Sequence, residues 1–516
     1  MYKPGLIYYH DSRHYLLYRF DPPMSLHQLR KPVDDLIGTP VDTLVWGLGM
    51  GQTFLHDTRV GVRFGAKARA HDRGLVWWRA AKNLEQALAA GRDPLQIVVQ
   101  RAHEKGLRIL GSIRINDSGA PGDSNYSIGR LKYENSALMI GEEDPERLHV
   151  ATALDFARPE VRTERLEVFE EVCGRYGADG IEIDEYIRTF FKPSEAQQNI
   201  PVLTQWMRDV RQLLDDIGKK RGEHLSLALR VHPSEEANLA VGMDVRSWIR
   251  EGLLDWITPC GDVLLIDPVP AFGWMAEEAH QVGVGIYPAL GRDIYDDRFR
   301  RVTLEMYRAV GTNFHAAGAD GLYLADLQWP HTKTEYEIIR ELADPDIYAR
   351  KTKHYSFANA AAHPDPHLPE RYLPQPLVEG QRARVPILVY DDLAAARADG
   401  ELESVTLGLR IVQYNPEDQI RFRLNGQDLY IKDAKLSSFY GGIVPYMPTK
   451  MGMDSRIDTH FWIEFTLPGE LLYQGENELE VSMEKQLEEF VNRRELFSVE
   501  IWTRYKELPI QRAGQM

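Results

Sequence analysis

Cysteine is nearly absent: Cys173 and Cys260 are the only two in 516 residues. That excludes a disulfide framework, and two scattered thiols make no zinc motif, so both are read as buried thiols. Long apolar runs are missing too; none reaches the roughly 20 residues of a membrane span. No basic segment followed by an apolar core precedes the first strand-like stretch, Gly5-Leu6-Ile7-Tyr8-Tyr9-His10. The expectation is a cytoplasmic protein or a mature secreted or periplasmic form. Positive charge is in deficit, with 61 Lys and Arg against 77 Asp and Glu and a net charge of −16. This argues against nucleic-acid or membrane-surface partners held by bulk electrostatics, while leaving room for an acidic ligand in a local basic pocket. No Gly-rich phosphate loop follows the first strand, which disfavours a doubly wound sheet. His56-Asp57 lacks the spacing of a metal site, and neither metal nor cofactor is expected.

What is present is an ordinary globular composition, 43% hydrophobic and 27% charged, long enough for more than one domain. Up to about residue 350, short apolar strands alternate with amphipathic helices, the pattern of parallel βα units. The predicted strands are 6–10, 43–48, 107–115, 180–186, 225–232, 255–260, 284–288 and 321–326. Helices are predicted over 94–105, 159–176, 201–220 and 299–317, with long insertions at 49–92 and 116–150. Eight strands with interleaved helices predict a (β/α)8 TIM barrel over residues 1–352. Prolines cluster from His363 to Pro376, so 353–380 is read as a linker. Beyond it, residues 381–516 show short alternating strands and an Asn425-Gly426 hairpin signal, an all-β sandwich of the jelly-roll kind.

The strand over 180–186 carries Glu182, Asp184 and Tyr186 on one face and Ile181 and Ile183 on the other. Strand three sets Ser112, Arg114 and Asn116 against Ile113 and Ile115, and strand five sets Arg230 and His232 against Leu227 and Leu229. If the polar faces line the lumen, Glu182 and Asp184 meet Arg114 and Arg230, with Asp184 nearest the C-terminal mouth where barrel active sites form. Burying such charges requires pairing or a wet site. Glycoside hydrolysis needs two carboxyl groups across the scissile bond. Asp184 is the first; Glu185, Asp262 and Asp326, with Glu235 or Glu236, are candidates for the second. Trp77, Trp78, Tyr287 and Trp329 are candidate sugar platforms, and His10, Asp11 and His232 candidate hydroxyl contacts. The same charges also fit a purely structural ion-pair layer.

Arg175 to Tyr186, together with Leu154-Asp155-Phe156-Ala157-Arg158-Pro159-Glu160-Val161-Arg162 and Leu254-Asp255-Trp256-Ile257-Thr258-Pro259, resembles the family-10-like glycoside hydrolases over about residues 94–259. That resemblance implies a glycosidase barrel acting on a carbohydrate substrate. Glu182 stands where the family usually carries histidine. The same strand is similar to the family 18 chitinase motif, but Tyr186 replaces its terminal acid. By analogy with the α-amylase-like clan, Asp184 would be the nucleophile and Glu235 or Glu236 the acid. Leu409 to Gly426, Phe465-Thr466-Leu467-Pro468 and Gly475 to Leu479 resemble the galactose-binding-like jelly roll, whose members bind sugar or only pack against a catalytic domain. The expectation is a glycoside hydrolase, with a non-catalytic carbohydrate-binding protein or a barrel lyase or isomerase as alternatives. Homo-oligomerisation stays open.

Overall fold

Strands of a closed parallel barrel are covered on both faces, which is why those over 43–47, 180–184 and 226–231 are buried throughout. The computed structural model describes residues 2–50, 53–68, 74–116, 126, 128–141, 151–184, 189–261, 265–294, 299, 301–357, 373–440 and 459–506. They form two compact units, 1–264 with 272–291 and 318–343, and 265–271 with 292–317 and 344–516.

The first unit holds β1 (Leu6–His10), β2 (Thr43–Gly47), β3 (Arg108–Arg114), β4 (Gly180–Asp184), β5 (Ser226–Val231) and β6 (Trp256–Pro259). After them come β7, in two pieces (Gly285–Ile286 and Ala289–Leu290), and β8 (Leu322–Leu324). Neighbours pair in parallel around the ring, and β7 closes it. Its first piece pairs with β6 and its second with β8, which pairs in turn with β1. Pro288 divides the pieces because it has no N–H to give, yet its carbonyl accepts from the Tyr323 N–H at 3.1 Å. The result is the (β/α)8 barrel. The expected insertion at 49–92 contains a helix, Leu75–Ala89, that its polar reading concealed. Helix Pro94–Glu104 starts as expected, with Asp93 capping the Leu95 N–H.

Lumenal side chains follow the period of two. Ile7, Tyr9, Val45, Leu110, Ala228, Trp256, Tyr287, Tyr323 and Ala325 fill the interior. A Cβ on Gly285 would lie 2.6 Å from the Tyr287 ring, and one on Gly321 2.9 Å from it, so two glycines make room for that ring. At the N-terminal end a repeated device joins the strands in pairs. Asp42, Asp179, Asp255 and Asp320 precede the four even-numbered strands. Each accepts a backbone N–H from the start of the preceding odd strand: Gly5 at 2.6 Å, Ile109 at 2.8 Å, Leu227 at 2.8 Å and Ile286 at 2.9 Å. Three of them also hold a histidine, His103, His224 and His280, at 3.1, 2.5 and 3.0 Å.

The second unit is an antiparallel sandwich. Its strands are β9 (Lys353–Phe357), β10 (Arg382–Val389), β11 (Leu402–Val412), β12 (Gln419–Leu424), β13 (Gln427–Leu429), β14 (Lys435–Tyr440), β15 (Thr459–Leu467), β16 (Gly475–Lys485) and β17 (Glu495–Tyr505). One sheet has the order β9-β17-β11-β15-β14 and the other β10-β16-β12-β13. Leu407, Leu409, Ile411, Ile387, Leu479, Val481 and Ile501 belong to the shared core. Asn425 and Gly426 take positive φ, 50° and 80°, as the hairpin requires. The two expected motifs interlock, Asn425 Nδ2 donating to Asn477 Oδ1 at 2.8 Å.

The expected linker needs correction. Lys353–Phe357 is a paired strand of β17's sheet, and the Lys353 ammonium is fully buried at 2.7 Å from Asp391. Residues 358–372 lie outside the described residues. The helix before β8, Leu304–Ala316, groups with the sandwich although it lies within 1–352. Its Asn313 amide donates to the Pro268 and Leu388 carbonyls.

Asp255→Ala strips a buried N–H, a histidine and Arg211 of their shared acceptor. It should lower unfolding free energy by about 2–3 kcal/mol in denaturant titration, whereas the exposed Asp216→Ala should leave the midpoint unchanged within error.

Candidate active site

Register builds the site. Arg114, Asp184, Arg230 and Thr258 share one rung across β3 to β6, and Ser112, Glu182, Ala228 and Trp256 the one below. The upper rung lies at the C-terminal ends of the strands. Arg230 Nη2 donates to Glu182 Oε1 at 3.0 Å and to the Tyr323 hydroxyl at 2.6 Å, while Nη1 sits 3.4 Å from Asp184 Oδ2. The guanidinium lies over the Tyr9 and Tyr323 rings, 4.8 and 5.1 Å from their centroids. Ser112 Oγ and the Tyr323 hydroxyl also donate to Glu182 Oε1, at 2.8 and 3.0 Å. Burial pushes the Glu182 carboxyl up, Arg230 pulls it back and the charge of Asp184 pushes it further up; the net direction is upward.

Asp184 is 1% exposed. Its Oδ2 faces Arg230 and, at 3.9 Å, Arg114 Nε. Its Oδ1 has no hydrogen-bond partner among the described residues, and neither has Thr258 Oγ1 in the same rung. Buried polar atoms are nearly always satisfied, so each is an atom that a water or a ligand hydroxyl would satisfy. Arg114 also reaches Asp11 Oδ2, at 3.3 Å. Burial pushes the Asp11 carboxyl up, but His14, Arg114 and Arg13 outweigh it and hold it well below the usual carboxylate range. The structure thus brings Asp11, Arg114, Glu182, Asp184 and Arg230 together. Tyr9, Tyr323, Ser112 and Thr258 complete the group; their lumenal parity was the signal that could have found them.

Other expected contacts lie elsewhere. Asn116 is buried with its amide committed, donating to the Leu154 and Thr189 carbonyls and accepting from the Leu154 N–H. Tyr287 fills the barrel interior, its ring packed beside Gly285 and Gly321 at the starts of β7 and β8, so it is no platform at the mouth. Trp329 is 1% exposed and its indole N–H donates to Asp35, which leaves no open face for a sugar. His10 has the opposite parity to Tyr9 and stacks on Trp46 at 4.8 Å with Trp329 at its edge, not in the lumen. His232 Nδ1 accepts from the Ser234 N–H at 3.0 Å. Glu235 is bound at both oxygens by Arg246, and Glu236 is exposed. Asp326 accepts from the Tyr15 hydroxyl. Trp77 and Trp78 are half-buried on helix Leu75–Ala89, and Trp77 stacks on Phe64. Glu185, Tyr186 and Asp262 lie outside the described residues. Among the described residues, no group of three His, Cys, Asp or Glu could hold a metal ion, and no helix is long and apolar enough to cross a membrane.

No family model matches the chain. It is similar to the glycosyl hydrolase DigH of Escherichia coli K12, 23% identical over 201 residues, covering 33% of this chain and 46% of DigH. The DigH of Shigella flexneri matches to the same extent. The chain therefore spans about half the length of the curated relatives it matches. Among solved structures, the maltogenic α-amylase AmyB of Thermotoga neapolitana is 12% identical, covering 78% of this chain and 90% of its own, with a TM-score of 0.37. A cycloisomaltooligosaccharide glucanotransferase of Paenibacillus is 10% identical, covering 96% and 57%, also at 0.37. The barrel assignment rests on the strand pairing described above.

His10 generates a pH prediction. Burial lowers its pKa to about 3, so the folded state keeps it neutral while the unfolded chain protonates near 6.5. Its stabilisation is complete above pH 6.5 and is lost as pH falls toward 3. Against wild type, His10→Phe should flatten the loss of unfolding free energy between pH 6 and 4 by about 1.4 kcal/mol per pH unit, measured by denaturant titration. An unchanged slope would refute the buried neutral imidazole.

Proposed function

We propose that the barrel is a glycoside hydrolase of the family-10-like kind, cleaving glycosidic bonds in an oligo- or polysaccharide, with Asp184 as nucleophile or base. One observation carries this reading. Asp184 ends β4 at the C-terminal rim, with one oxygen held by two arginines and the other without a hydrogen-bond partner among the described residues. That arrangement fixes a carboxylate in direction while leaving an oxygen for the anomeric carbon or for an attacking water. The similarity to glycosyl hydrolase DigH supports the same class.

In this reading Glu182 supports the site from below, where three hydrogen bonds converge on one oxygen. Asp11 is unsuited to donate a proton, since its cationic neighbours keep it ionised; it steadies Arg114 instead. The acid is then sought among Glu185, Asp262 and Asp326, each following a strand at the mouth. Its separation from Asp184 sets the stereochemistry, roughly 5–5.5 Å for retention and 6.5–9.5 Å for inversion. A non-catalytic carbohydrate-binding role has one observation in its favour, the clamping of a nearly inaccessible Asp184 between Arg114 and Arg230.

A panel of polysaccharides assayed for reducing ends separates these readings. Asp184→Asn should lower kcat by about a thousandfold or more on whichever glycan the wild type cleaves, with the melting temperature retained as a check on folding. Equal activity in the two proteins would remove Asp184 from the mechanism.

A further inference from the structure

Two residues beyond Asp11, Arg13 occupies an unusual position. It lies in the turn Ser12–Leu17 that leaves β1 at the mouth, and it is 5% exposed. Its backbone N–H and that of His14 donate to Asp11 Oδ1 at 3.1 and 3.0 Å. Its Nη2 donates to His14 Nε2 at 2.8 Å, and His14 Nδ1 lies 2.8 Å from Asp11 Oδ2. Aromatic rings hold the rest of the guanidinium: Trp77 at 5.2 Å, Tyr18 at 5.5 Å and Phe64 at 6.0 Å from the central carbon to each ring centroid. Tyr126 packs at the edge of Trp77, 5.4 Å away.

Arg13 Nε and Nη1 are buried with no hydrogen-bond partner among the described residues, and the buried Tyr18 hydroxyl has the Arg13 guanidinium beside it, whose charge opposes the upward push of burial on that hydroxyl. No carboxylate of the described residues forms an ion pair with this guanidinium. A buried cation whose donors are left over, caged by rings, is costly to hold empty. Ring faces stabilise the charge but accept no N–H in the guanidinium plane. The carboxylate beside it, Asp11, is shared with Arg114 and His14, and Asp184 is shared between Arg114 and Arg230. A chain of net charge −16 thus concentrates arginine on one rim of its barrel.

We propose that the Arg13 guanidinium and the Tyr18 hydroxyl bind an anionic substituent, a carboxylate or a sulfate ester, carried by a sugar, so that the site takes acidic glycans. The ligand's being a glycan rests on the hydrolase reading above; the anion pocket itself rests on Arg13. A planar guanidinium suits such oxygens because two N–H groups meet two oxygens at once.

The test uses the full-length protein and three probes, glucuronic acid, glucose 6-sulfate and glucose, titrated by ligand-observed NMR. At least one acidic probe should bind with a dissociation constant about tenfold or more below that of glucose, the scale of a hydrogen bond to a charged group. That advantage should shrink as salt rises and vanish in Arg13→Gln, while Arg13→Lys keeps part of it. Glucuronic acid alone binding assigns the pocket to carboxylates, and the sulfate alone to sulfate esters. Should Arg13→Gln fail to fold, the probe comparison and salt titration on wild type decide. Equal affinity for glucose and both acids, or no binding by either acid, overturns the proposal. Hydrolysis of a neutral glycan that Asp184→Asn abolishes, without preference for acids, would sink the anion pocket and leave the hydrolase standing. Acid binding with no glycan cleaved would do the reverse.

Discussion

Arg230 is the residue on which the barrel mouth depends. It is buried between two tyrosine rings and divides its charge between Glu182 below and Asp184 above. Desolvating such a group costs several kcal/mol, so the ion pair is weak evidence of stability. What it fixes is geometry. With Nη2 tied to Glu182 and Tyr323, Nη1 is aimed at Asp184 and sets the direction of that carboxylate. A structural ion-pair layer and a working rim are therefore not rivals here. The lower rung is the support of the upper one.

The two ends of the barrel treat their carboxylates differently. At the N-terminal end, four aspartates satisfy strand N–H groups directly, and nothing in that pattern leaves a donor over. At the C-terminal end, buried atoms of Asp184, Thr258 and Arg13 stay without partners among the described residues. An unsatisfied group costs free energy that a fold selected for stability alone would shed. Such atoms occur toward the base as well, Arg108 Nε and the Tyr287 hydroxyl among them, so what separates rim from base is which group is left over: at the rim it is a carboxylate oxygen of Asp184.

Parity carried most of what the sequence revealed. Glu182, Asp184, Arg114 and Arg230 were placed in the lumen because a strand alternates strictly, and register then made them neighbours. The same rule fails where a strand ends. Asn116 has the right parity but lies past β3, and its amide serves two loop carbonyls. Burial was not legible for Trp329 or Tyr287, because an aromatic near a strand end reads alike whether it lines a cleft or fills a core. Lys353–Phe357 was lost to the linker because a lysine and a histidine open it, and only Asp391, far away in sequence, makes that lysine tolerable inside. Arg382–Val389 alternates cleanly in burial, yet Pro386 and two arginines masked it as a strand.

Arg13 shows a harder limit. Little local distinguishes it from a surface arginine, since of its three rings only Tyr18 is near in sequence, and Phe64 and Trp77 lie on segments far along the chain. Among the described residues the charged side chains at the mouth come from β3, β4 and β5, from the turn just after β1 and, with Asp326, from just after β8. The other arc is shorter of charge: β6 ends at Pro259 and brings Trp256 and Thr258 inward, and β7 is broken at Pro288. That asymmetry follows from which strands carry polar residues at their last lumenal position.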